Sequence, residues 1–394
     1  MRFFSYWLAL LFIYFIPSFS WAYSLPCGQL VKQNQHYYDR LQNRYITRDY
    51  LIYLPRSFCE KQKPISPSVI YALHGYHGTA SGFALSTSQG LINRLSEGHN
   101  WIAVYPQGMS MRTEKKSPLW NYFYSSWNFL PKYLYRPSYQ SDFIKLNNRN
   151  IPICNIRFFR GINPIPKQPG CRQWTGVCAW TACFDDEAYL LAIQSAIIRQ
   201  FHADKHHQYL IGFSNGAMMA YRMACAKPKQ YQAVVAIAGT TIDHLRYHST
   251  RASPSLWIIS GLHDTDVPLT EKQRKLAADN PYSYQLATEA VRDYARGLRC
   301  QTVKITHSNS LGGMYCYHYT HCYQHKQVRF CLFGTNKNNT LDSRHNFPGG
   351  HYGDGWCVSD IQASLAPNYP RCPEPKLEPS LNEFMRLLDL FFLS

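Results

Sequence analysis

The apolar positions of this chain fall into short β-branched and aromatic runs that alternate with helical patterns. Seven runs read as strands, at residues 50–54, 68–73, 101–105, 208–213, 233–238, 255–260 and 328–333. Several are nearly continuous in Val, Ile, Leu and Ala, as expected of strands buried on both faces. Between them the period changes. Residues 187–201 place apolar side chains at 190, 193, 197 and 201, a helical stripe. Asp185, Asp186 and Glu187 put negative charge at its start, where the helix dipole favours it. Ser380-Leu-Asn-Glu383 has the spacing of a capping box and opens a final amphipathic helix. Such alternation predicts an α/β protein with a mostly parallel central sheet and helices on both faces.

Two stretches break this rhythm. Residues 109–180 are rich in Tyr, Trp, Phe, Pro and Asn, and residues 301–344 are dense in His, Tyr and Cys. Segments of this length inside one domain are expected to be lids or pinned surface insertions. The expected organisation is a single domain, residues 23–394, with a cap-like insertion at about 109–180 and a Cys/His/Tyr-rich excursion at about 301–344. There is no internal repeat and no low-complexity tract.

The N-terminus changes the compartment. Arg2, an apolar run over residues 3–16 and Ser20-Trp21-Ala22 have the form of a secretory signal peptide, residues 1–22. The run is shorter than the ~20 apolar residues a membrane span needs, and no later stretch is long and apolar enough to supply one. All 13 cysteines follow Ala22, so a disulfide-stabilised protein in an oxidising compartment is expected, secreted or periplasmic. The odd count leaves at least one thiol unpaired within the chain, and Cys225, inside a helical pattern, is the candidate. Lys and Arg number 41 against 24 Asp and Glu, a net charge of +17. That field favours acidic partners or anionic surfaces. The basic residues form no compact block and no nucleic-acid motif, so nucleic acid is not an expected partner. The oligomeric state is left open.

The chemistry centres on Gly212-Phe213-Ser214-Asn215-Gly216, which ends the apolar run 208–213 and precedes a helical pattern. G-x-S-x-G between a strand and a helix is a nucleophile elbow. The turn exposes the serine hydroxyl at a helix N-terminus, where backbone N–H groups and the dipole favour an anion. A serine nucleophile needs a base, and the base an orienting acid; in this fold their chain order is Ser, acid, His. The strand 255–260 runs into Gly261-Leu-His-Asp264-Thr-Asp266, which offers Asp264 as acid, with Asp266 as the alternative. His351, in Pro348-Gly-Gly-His351-Tyr-Gly, is the expected base. His345 satisfies the same order and is the alternative. The backbone N–H groups of Tyr76, after Leu73-His74-Gly75, and of Asn215 are the expected oxyanion donors. His74 is expected to hold that loop. Cys316, His318, His321, Cys322 and His325 lie close enough in sequence to ligate zinc, but exported cysteines usually pair with one another. No metal and no cofactor is expected.

These residues resemble the family of secreted polyhydroxybutyrate depolymerases and feruloyl esterases, serine esterases of the α/β-hydrolase fold. The resemblance is carried by Ser214-Asn-Gly-Ala-Met-Met-Ala, Pro26-Cys-Gly, Leu73-His-Gly, Asp185-Asp186 leading a helix, Gly261 through Val267-Pro268, and Gly349-Gly-His351. It extends in blocks from about Cys27 to Trp356. It implies the α/β-hydrolase fold, Ser214 as nucleophile, Asp264 as acid, His351 as base, and hydrolysis of carboxylic esters through an acyl-enzyme. The implied substrates are hydroxyalkanoate oligomers or acylated plant-type glycans. The chain departs from the family in its long 109–180 stretch and in Tyr76, where depolymerase-like members carry cysteine. Two other classes stay open: an acyltransferase or serine peptidase using the same three groups, and a non-catalytic glycan- or polyanion-binding protein on a hydrolase scaffold, whose mark is loss of a triad member.

Overall fold

Ten strands hydrogen-bond into one sheet among the residues described by this computed structural model, namely 25–60, 66–113, 123–130, 143–146, 149–152, 167–168, 184–242, 245, 247–277, 284–335, 342–350, 355–365, 369–375 and 379–394. We number the strands β1 (Leu30–Asp39), β2 (Arg44–Tyr53), β3 (Val69–Leu73), β4 (Ile102–Pro106), β5 (Gln208–Phe213), β6 (Ala233–Ile237), β7 (Ser255–Gly261), β8 (Thr302–Ser308), β9 (Met314–Thr320) and β10 (Val328–Phe333). Their order across the sheet is β1-β2-β4-β3-β5-β6-β7-β10-β9-β8. The six strands from β4 to β10 are parallel neighbours, and antiparallel pairs close both edges. This is the expected α/β-hydrolase fold.

The apolar runs have a simple cause. Successive strand residues point to opposite faces, and here both faces are covered. Leu210, Val234 and Ile258 meet the helices α2 (Asp186–Phe201), α3 (Asn215–Ala226) and α4 (Ala287–Gly297) on one side. Ile211, Val235 and Ile259 meet α1 (Leu91–His99) and α5 (Pro379–Phe392) on the other. Each such side chain contributes about 1.5–3 kcal/mol through burial, and the buried polar residues Gln208 of β5 and Ser260 of β7 stand near the strand ends.

All seven strands expected from the apolar runs form. The excursion expected over 301–344 contains instead the hairpin β8–β9, which continues the sheet beyond β10. Every residue of β8 is exposed, so no apolar pattern marks it. Main-chain pairing and two disulfides, Cys300–Cys322 and Cys316–Cys331, hold it in place. Those disulfides occupy both cysteines of the zinc alternative. β1 was likewise hidden, because its alternate residues face solvent.

Cys27–Cys59 and Cys357–Cys372 are also bonded, and Cys225 is a buried free thiol. Cys154, Cys171, Cys178 and Cys183, the expected signal peptide and most of the expected insertion lie outside the described residues. Within that stretch, Met109–Thr113 pairs antiparallel with Phe123–Ser126. No described helix is long and apolar enough to cross a membrane.

Candidate active site

The elbow forms because its two glycines allow backbone to touch backbone. A Cβ on Gly212 would lie 2.2 Å from the Gly216 carbonyl oxygen, and one on Gly216 would lie 2.4 Å from that of His74. With both positions bare, β5 turns directly into α3 and α3 lies against the end of β3. Ser214 is held at φ 54°, ψ −120°, a conformation that costs a non-glycine residue about 1–3 kcal/mol and persists only where the surroundings impose it. Its N–H is tied to the Ile237 carbonyl at 2.8 Å. The turn aims the Ser214 hydroxyl past the C-terminal edge of the sheet.

The loop after β7 and the segment 342–350 meet it there. Asp264 follows β7 and is fully buried. Its Oδ1 accepts the backbone N–H groups of Val267 (2.9 Å) and Asp266 (3.1 Å), an Asx-type turn that fixes the carboxylate plane. Its Oδ2 lies 2.9 Å from Nδ1 of His345, and Nε2 of His345 lies 2.8 Å from Oγ of Ser214. The alternative acid, Asp266, is exposed. Burial disfavours a charged His345 ring, but the charge of Asp264 and its hydrogen bond outweigh this and raise the pKa above the ordinary 6.5.

The imidazole position therefore belongs to His345, which corrects the expectation for His351. The cause is the path of the chain after β10. A Cβ on Gly261 would meet the Ser343 carbonyl oxygen at 2.2 Å, so the bare glycine lets residues 343–345 lie directly on the end of β7. The N–H of His263 donates to the Ser343 carbonyl at 2.8 Å, and its Nδ1 bonds the Ser343 hydroxyl at 2.8 Å. Phe347 then turns into the core against Phe83 and Phe384, and Gly349 abuts Ser380 and Leu381 at the start of α5. His351 itself lies outside the described residues. Chain order alone could not separate the two histidines. The signal available was Phe347, an apolar anchor two residues after His345.

The loop after β3 forms the other wall. A Cβ on Gly75 would lie 3.3 Å from Cβ of Ser214, which places the Gly75–Tyr76 peptide beside the hydroxyl. Asn215, the other expected donor, opens α3. His74 is buried, its Nδ1–H donates to the Gly75 carbonyl at 2.7 Å, and its Nε2 accepts the Gly108 N–H at 2.9 Å. Burial pushes its pKa down to about 4, so it is a neutral brace. Beneath this loop the buried Arg48 bonds Asp186, the Tyr37 hydroxyl and the Gln107 carbonyl. A cavity of about 160 Å³ opens beside the start of α2. None of Ser214, His345 and Asp264 lines it, and its carboxylates at 185 and 187 are paired with Arg40, Arg222 and Lys227.

A hydroxyl, an imidazole and a buried carboxylate in one hydrogen-bonded line can transfer a proton away from the hydroxyl as it attacks an electrophilic carbon. No family model and no curated protein matches the sequence. Among solved structures, the chain is similar to an acetyl xylan esterase from Aspergillus awamori, with 15% identity over 83% of this chain and 97% of that one, TM-score 0.44. It is also similar to a ferulic acid esterase, with 16% identity over 53% and 60%, TM-score 0.30. A third is LpqC, a poly(3-hydroxybutyrate) depolymerase from Bordetella parapertussis, with 14% identity over 69% and 80%, TM-score 0.36.

Proposed function

We propose that this chain is an exported serine esterase that hydrolyses carboxylic esters, with Ser214 as nucleophile, His345 as base and Asp264 as its orienting acid. The observation that carries this is the unbroken line of hydrogen bonds from Ser214 through His345 to Asp264, at a strained elbow on the open edge of the sheet. In the first half-reaction Ser214 Oγ bonds to the ester carbonyl carbon while its proton passes to His345 Nε2. The tetrahedral oxyanion is met by the backbone N–H groups of Tyr76 and Asn215. His345 returns the proton to the departing alkoxide, leaving an acyl-serine. Water, deprotonated by the same imidazole, then releases the acid. Asp264 stays ionised and holds the tautomer in which Nδ1 carries hydrogen.

Export is supported by the N-terminal apolar run and by four disulfides among the described residues. The sequence resemblance sets the substrates to try first: hydroxybutyrate oligomers, feruloylated sugars and acetylated sugars.

The test is turnover of a short-chain nitrophenyl ester. Wild type should release nitrophenol, and Ser214→Ala should fall to background. Equal rates in the two proteins would remove Ser214 from the chemistry. An intact hydroxyl–imidazole–carboxylate line disfavours the non-catalytic binding protein, and inertness of the wild type to fluorophosphonates would restore it. Partition of the acyl group to added alcohols or amines separates a hydrolase from an acyltransferase.

A further inference from the structure

Trp127 joins the two halves of the expected oxyanion site, which otherwise come from separate strands. Its backbone N–H donates to Oδ1 of Asn215 at 2.6 Å, on the elbow side. Its indole Nε1–H donates to the His74 carbonyl at 2.8 Å, on the β3-loop side. The side chain is fully buried, so both bonds are shielded from water. The ring lies 5.2 Å from the His74 imidazole, and the Arg48 guanidinium faces it at 5.9 Å.

Trp127 is itself held on both sides in sequence. Ahead of it, the Ser125 carbonyl accepts the His77 N–H at 3.0 Å, and the Ser125 hydroxyl bonds the Gly78 carbonyl. After it, the Asn128 N–H donates to Asp186 Oδ2 at 2.5 Å, and its side-chain amide donates to the Phe184 carbonyl at 2.9 Å. The residue is thus anchored through Asp186 to the buried Arg48, and from that anchor it reaches both sides of the gap.

An oxyanion is stabilised only when its donors stand 2.7–3.1 Å from it. Sheet geometry alone sets the spacing of β3 and β5, but the donors lie beyond the strand ends, Tyr76 three residues after β3 in a loop and Asn215 two residues after β5 at the start of α3. Building on the esterase reading above, we propose that Trp127 is a positioning residue that sets the separation of the Tyr76 and Asn215 N–H groups. It touches no reacting atom.

The experiment is Trp127→Phe, which keeps an aromatic ring and the backbone N–H but deletes the indole donor. The expected result is kcat on a nitrophenyl ester lowered about 10- to 100-fold, as for a sub-ångström misplacement of catalytic groups, with KM within about twofold. The Ki of an aryl boronic acid should rise by about the same factor as kcat falls. An unchanged kcat and boronate Ki in a folded Trp127→Phe protein would overturn the proposal. So would a loss confined to melting temperature. If that variant does not fold, Asn215→Ala, which removes the other acceptor and keeps the Asn215 N–H, must show the same pattern in kcat and boronate Ki; wild-type values there would also overturn it. Labelling of wild-type Ser214 by a fluorophosphonate separates the two levels. Absent labelling removes the esterase reading itself, whereas labelling with wild-type kinetics in the variants removes only the role of Trp127.

Discussion

Asp264 is a carboxylate with no exposed surface, and such a group stays charged only where donors meet it. Two backbone N–H groups and the His345 ring do so. The sign of the resulting shift on His345 fixes a pH dependence. The raised pKa means the ring takes up its proton at a higher pH than a free imidazole, and the base form is lost as pH falls through that value. The acid limb of kcat/KM should therefore have its midpoint above 6.5. A midpoint below 6.5 in a pH–rate profile would mean that another group is the base. The same assignment is tested by substitution. His345→Gln should lower kcat/KM by roughly 10²–10⁴-fold, the usual share of a general base. His351→Gln should leave it within about threefold, because the imidazole position is already filled. Steady-state kinetics on the two purified variants decide between them.

At the scale of elements, the site is where three strand ends and one strap converge. The strap is formed by residues 355–365 and 369–372, joined by Cys357–Cys372 and by pairing of Val358 with Arg371. It lies on the loop that carries Tyr76. The Thr79 hydroxyl donates to the Cys357 carbonyl at 2.7 Å, the Ser359 N–H to the Ser81 hydroxyl at 3.0 Å, and the Tyr369 hydroxyl to the His77 carbonyl at 3.0 Å. Cys300–Cys322 instead pins the edge hairpin, far from this loop in the sheet order. Both crosslinks close short loops, and each should contribute about 2–4 kcal/mol through the unfolded state. Replacing either pair by serines should lower the melting temperature. Only Cys357→Ser/Cys372→Ser should also lower kcat/KM, by several-fold. Calorimetry and kinetics on both double variants check this; equal kinetic losses would show that the strap has no privileged link to the site.

The whole molecule is a sheet with a closed core on each face, and that closure decides how its one described free thiol behaves. Cys225 sits in α3, packed on the face that holds Leu210, Val234 and Ile258. Burial raises its pKa well above that of a free thiol, so neither access nor the thiolate form favours reaction. Iodoacetamide should leave Cys225 unmodified in the native protein and alkylate it on unfolding, as read by peptide mass spectrometry. Rapid native alkylation would mean that α3 opens from the sheet, and the elbow with it.

The strands of the sheet's centre were legible because burial on both faces demands continuous apolar runs, and local pattern records that demand directly. The elbow was legible for a related reason: two bare glycines around a serine are the condition for the close backbone approach seen at Gly212 and Gly216. The edge strands β1 and β8 were not legible, since an edge strand is held by its neighbour's main chain, and hydrogen bonds between backbones leave little trace in side-chain type. His345 and His351 both followed the last central strand and both satisfied chain order. The choice was made by Gly261 admitting residues 343–345 and by Phe347 entering the core. Trp127 was invisible for the same reason, because what it joins are atoms of His74 and Asn215, far from it in the chain and brought within reach only when the sheet closes.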